Sequence, residues 1–123
     1  MHDRTVSLPT RDHGTVVLPE PSWCAGHADH HPTAFRADIT HAGPEHHLTH
    51  HGEPVFTLVL TQHPYATMTA ARSIGLYVGV ETFEGRTFTP AGVDALADSL
   101  AVHIDQLRAH ARALAALLAG GAR

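Results

Sequence analysis

Hydrophobic and polar positions change period several times along the chain, and each change predicts an element. Thr15-Val-Val-Leu18 is a short β-branched run that stops at Pro19. Pro19, Pro21 and Gly26 bracket Ser22-Trp23-Cys24 and predict a tight irregular loop. Ala34 to Thr40 alternates, with Phe35, Ala37 and Ile39 opposite Arg36, Asp38 and Thr40, which predicts a half-buried strand. Glu45 to His51 predicts a short His-rich strand between the turn signals Gly43-Pro44 and Gly52-Glu53-Pro54. Val55 to Thr61 reads as a strand buried on both faces. Ser73 to Thr82 alternates again, with Ile74, Leu76, Val78 and Val80 on one side. A turn is expected at Glu84-Gly85, and residues 1–14 read as a flexible N-terminal arm.

The last element has the strongest pattern. Thr89 suits the N-cap and Pro90 the first helical position. Val93, Ala97, Leu100, Ile104, Leu107, Ala111, Leu114 and Leu118 then recur at spacings of three and four, up to Gly120-Gly121. This predicts a helix of about 30 residues, roughly 45 Å long. Asp94 and Asp98 lie near its positive end and Arg108 and Arg112 near its negative end. A small sheet cannot cover such a length, so the seam predicts self-association through this helix, the alternative being that its first half packs on the sheet and its second half protrudes or frays. The expected fold is therefore α+β: one antiparallel sheet of four to five strands, about residues 15–82, with one long C-terminal helix, about residues 90–119, packed on one face. A single domain would span residues 15–123.

Composition narrows the function classes. The chain has 123 residues, 43% of them hydrophobic, and a formal charge of −4 with histidine neutral. Without excess positive charge, nonspecific DNA or RNA binding is disfavoured. No apolar run approaches the roughly 20 residues that span a bilayer. One cysteine excludes an intramolecular disulfide, and the start carries no apolar leader-like run, so a reducing cytoplasm is expected. Nucleophile-elbow, P-loop, dinucleotide-binding and H-E-x-x-H signatures are all missing from the sequence.

What stands out is 13 histidines, eight of them between His27 and His51. Full protonation would turn the formal −4 into +9, so surface charge must change steeply as histidine titrates near pH 6.5. Cys24 and His27 form a C-x2-H pair, a spacing that places two ligands on one tight loop. His30 and His31 follow, and a hairpin would return His41 toward the same loop. Cys24, His27 and His41, with His30 or His31 as fourth ligand, would complete a tetrahedral Zn²⁺ site. A segment rich in Gly and Pro with few long apolar runs has little core of its own, and a metal would supply the missing free energy. The plain alternative packs Cys24 as a small apolar side chain beside Trp23 and leaves the imidazoles in solvent. His50 and His51 read as turn-adjacent surface residues and His63 as a loop residue. His103 and His110, seven apart, share one helix face as solvated groups, ligands or a pH-sensitive contact.

Pro21-Ser-Trp-Cys24 followed by His27, then Asp38-Ile-Thr-His41-x-Gly43-Pro44, resembles an uncharacterised actinobacterial domain family with an Ala/Leu/Arg-rich last helix. The total lack of Lys and Asn, with 19 Ala, fits a GC-rich genome of that kind. The resemblance implies that Cys24, His27 and His41 act as a unit. It also implies an accessory role, with a regulatory protein as partner. It implies no reaction. The expectation is a non-enzymatic module with a structural zinc. The alternatives are a small metal-dependent hydrolase or lyase with an open Cys/His2 site and Glu45 as base, and a His-rich metal buffer.

Overall fold

A computed structural model describes residues 4–81 and 87–120. Two antiparallel sheets and one long helix make an α+β arrangement. The first sheet is the hairpin of β1 (Thr5–Thr10) and β2 (Gly14–Pro19). Within the flexible arm expected over residues 1–14, Thr5–Thr10 is thus a paired strand that turns at residues 11–13 into β2. Leu8 and Leu18 face inward from it onto Ile39, with Val6, Val16 and Tyr65 packed around them. Burial of that alternating side outweighs the Pro and charged residues that read as disorder.

The second sheet holds β3 (His41–Ala42), β4 (His46–His50), β5 (Glu53–Gln62) and β6 (Gly75–Val80). The long β5 is central, with β6 along one edge and β3 and β4 end to end along the other. Leu58 at its middle is fully buried. The β4–β5 hairpin closes on His51 and Gly52, both at positive φ (50° and 77°). That combination is what a two-residue turn matching strand twist demands. The two sheets make little direct contact, so the hairpin and the central sheet each have a small core of their own.

The strand expected over Ala34–Thr40 is instead a 3-10 turn at Arg36–Asp38. Asp38 N and Ile39 N donate to the carbonyls of Phe35 and Arg36, which turns Ile39 inward while Phe35 stays exposed. Short alternation is compatible with either geometry, and local hydrogen bonds decided it. The turn expected at Glu84-Gly85 lies outside the described residues.

Helix α1 runs Pro90–Ala119. The Thr89 side chain accepts from Gly92 N at 3.1 Å, and the helix ends at Gly120. The helix lies against β4, on the edge of the sheet. Its covered side carries Leu96, Leu100, His103, Leu107, His110 and Leu114, and His103 is its one buried residue. Leu100, Leu107 and Leu114 of the expected seam thus lie on the covered side, while its other edge turns outward. Val93, Ile104 and Leu118 of the seam are about half exposed, at 52%, 49% and 51%. No helix among the described residues is long and apolar enough to cross a membrane.

Candidate metal centre

The loop after β2 starts at Glu20, whose N donates to the Arg4 carbonyl and so continues the hairpin. Pro21 is fully buried and fixes the chain direction there. Cys24 N then donates to the Pro21 carbonyl, and Ala25 N donates to the Ala42 carbonyl. These bonds hold the Ser22–His27 turn against β3. Gly43 lets the two segments meet, because a Cβ there would lie 3.1 Å from the Trp23 carbonyl oxygen. β3 in turn presents His41 to the turn from its pairing with Gln62.

The result is a buried group of Glu20, Cys24, His27 and His41, one ligand atom from each, all within 4.8 Å of one another. Such a group can hold a metal ion. Glu20 Oε1 lies 2.9 Å from both His27 Nε2 and His41 Nδ1. Cys24 Sγ lies 3.7 Å from His27 Nε2. The Glu20, His27 and His41 side chains are 9%, 8% and 3% exposed. The two imidazoles meet edge to face at 5.4 Å, and the Trp23 indole closes the far side of His41 at 6.3 Å.

Electrostatics inside this niche are unbalanced. Burial pushes the Cys24 thiol above its ordinary pKa, and the Glu20 charge adds to the effect against donation from Gly26 N and Ala42 N. Burial also holds His41 below its ordinary pKa, against the attraction of Glu20. His41 Nδ1 is buried with no hydrogen-bond partner, because the nearby carboxylate oxygen is off the line of a proper bond. An orphaned buried nitrogen aimed at a carboxylate and a thiol is costly for a protein alone. A cation between the four atoms removes that cost.

Of the residues that sequence reasoning singled out, Cys24, His27 and His41 come together. His30 and His31 do not join them: His30 Nε2 donates to the Pro9 carbonyl at 2.7 Å and His31 is exposed. Both line a cavity of about 500 Å³ that opens beside His27. The fourth member of the group is Glu20, which a search for nitrogen and sulfur ligands passes over. Its signal was E-x3-C-x2-H, a carboxylate held between Pro19 and Pro21 one turn ahead of the cysteine. Glu45 is exposed just ahead of β4, 3.2 Å from His47 Nε2, and is outside the cluster.

Comparison with curated proteins and with solved structures finds no match. Residues 5–116 match DUF6907, a domain of unknown function, so the matched span takes in the whole cluster and most of α1. The chain belongs to the DUF6907 family.

Proposed function

We propose that the chain is a small non-enzymatic accessory module, built for the cytoplasm, whose N-terminal half is fixed by a structural Zn²⁺ on Glu20, Cys24, His27 and His41. The observation that carries this reading is the orphaned, buried His41 Nδ1 within 4.8 Å of three other ligand atoms. Zinc bond lengths of about 2.0–2.3 Å put tetrahedral N and O ligands ~3.3 Å apart, and S and N ligands ~3.6 Å apart. The spacings of 2.9 and 3.7 Å come within a few tenths of an ångström of those values. One thiolate, two imidazoles and one carboxylate suit a borderline dication. Four protein ligands also saturate a tetrahedron, which supports a structural site over one that keeps a position for water.

The gain is architectural. Glu20 follows the β1–β2 hairpin, Cys24 and His27 sit on the loop, and His41 belongs to the central sheet. One ion therefore joins three pieces that share little core. Zinc analysis of protein purified without a histidine tag tests the reading, with Cys24→Ser as the comparison. One equivalent is expected in the wild type and well under half in the variant. Zinc far below one equivalent in the wild type, or a melting curve unmoved by chelator, overturns it.

The outward flank of α1, with Val93, Ile104 and Leu118, serves self-association in this reading. Sedimentation equilibrium of wild type against Ile104→Glu checks that point. A wild type that is monomeric at high concentration would remove it.

A further inference from the structure

A second group of imidazoles lies between β4 and α1, away from the buried cluster. The helix runs antiparallel to β4 and meets it in register at three places. His50 Nδ1 is 2.7 Å from Ser99 Oγ, His103 Nε2 donates to the Thr49 carbonyl at 2.8 Å, and His46 faces His110. The first two contacts are satisfied hydrogen bonds. The third is different. The His46 and His110 rings lie 5.1 Å apart, inclined at 55°, and neither has a hydrogen bond to a described residue. His46 is exposed and His110 partly so, which leaves their polar edges open to solvent.

We propose that His46 and His110 form a bis-imidazole site for a borderline transition dication, which clamps the second half of α1 to the start of β4. Metal–nitrogen bonds of 2.0–2.1 Å put each ring centroid ~3.2 Å from an ion. Two such rings at a tetrahedral angle stand ~5.2 Å apart, and at a right angle ~4.5 Å. The observed 5.1 Å fits the first, as does the 5.4 Å between His27 and His41 in the buried cluster. His50 and His51, at 4.2 Å, are a poorer pair, because His50 Nδ1 is already engaged by Ser99. Two protein ligands leave the remaining positions to water, so the site binds more weakly than the buried one and exchanges its ion. Its ion ties two elements 64 residues apart in sequence, so occupancy must couple to how firmly the helix is held. This inference does not depend on zinc at Glu20, Cys24, His27 and His41.

Ni²⁺ is a suitable probe because imidazole ligates it well and it does not oxidise Cys24. Calorimetric titration of the full, untagged chain is paired with hydrogen exchange over residues 104–119, with and without Ni²⁺. Wild-type protein is expected to show slower exchange in that segment when Ni²⁺ is bound. His46→Gln and His110→Gln should each weaken binding at least about tenfold, since even losing a group behind a metal ligand costs that much. Both should also lose the added protection. His47→Gln and His51→Gln, exposed and outside the pair, should match the wild type. Unchanged Ni²⁺ affinity in either member of the pair, or binding that leaves exchange in α1 unaltered, overturns the clamp.

Discussion

Histidine is concentrated in two places in this molecule, and the two use it in opposite ways. Around Cys24, imidazoles are driven into the interior and face a carboxylate and a thiol, with His41 Nδ1 left unpartnered. Between β4 and α1, His50 Nδ1 and His103 Nε2 bond to a hydroxyl and a peptide carbonyl, and His103 Nδ1 is buried without a hydrogen-bond partner among the described residues. The first arrangement brings four potential ligand atoms together on one point; the second spreads its imidazoles along a helix–strand seam, each on a different partner. A count of histidines cannot separate these cases. Convergence of several ligand atoms on one buried point can.

The largest expected effect comes from removing the ion's anchor. His41→Ala deletes a ligand and the ring that fills the niche beside Trp23. In a small two-core fold it should lower the melting temperature by more than about 10 °C, given the size of structural-zinc contributions. Chelator should bring the wild type down toward the variant and leave the variant unmoved. Glu20→Gln sharpens the point, because it keeps the volume and removes the anionic ligand. Its zinc affinity should fall roughly 100-fold, measured by competition with a chromophoric chelator. A Glu20→Gln protein that binds zinc like the wild type would return the fourth corner to another residue.

What the sequence revealed of this comparison was uneven, for physical reasons. The ends of α1 were legible because caps are local chemistry: Thr89, Pro90 and Gly120 each act within one turn. β4 was legible from the turn signals around it, β5 from its continuous apolar run and β6 from its alternation, although Val78 and Val80 of the alternating side are exposed, at 44% and 65%. The orientation of α1 was legible in part: Leu100, Leu107 and Leu114 of its apolar stripe are covered, whereas His103 and His110 beside them, and not Val93, Ile104 and Leu118, complete the covered side. The 1–14 segment misled because Pro9 and the charges near Asp12 resemble a frayed end, yet Leu8 needs only its β2 partners to fold inward. At the centre, Cys24, His27 and His41 were visible as residue types. Glu20 was not, because a single carboxylate in a loop is ordinarily solvated, and only its bond to Arg4 and the histidines that close on it bury its carboxylate.

The α1–β4 contact gives the next prediction. His103 is 4% exposed and supplies the link to Thr49. His103→Ala should cost about 2–3 kcal/mol in denaturant unfolding, from the lost hydrogen bond and the space left behind. His103→Gln, whose amide can donate to the same carbonyl, should recover part of that loss. Neither change should alter zinc stoichiometry. If His103→Ala released zinc, the two histidine regions would be one coupled unit, and the contrast between them would fail.

The smallest effect is at the surface tie between the β1–β2 turn and the segment that leads to His41. Asp12 Oδ1 accepts from Arg36 N at 2.9 Å, and this bond, with His13 alongside, holds its carboxyl below the ordinary value of 3.8. A depressed carboxyl contributes stability that is present above the unfolded pKa and is lost as pH falls through the folded one. The contribution is therefore full at neutral pH and disappears only in strong acid. Asp12 is open to solvent, so water screens most of it. A carboxylate titration followed by NMR should show the Arg36 amide shifting with Asp12, and Asp12→Asn should abolish that coupling. Zinc affinity should stay the same in Asp12→Asn, because the ligands are placed by buried backbone bonds rather than by this contact. A fall in zinc affinity would mean that the exposed tie, and not the packing around Pro21 and Gly43, sets the geometry of the centre.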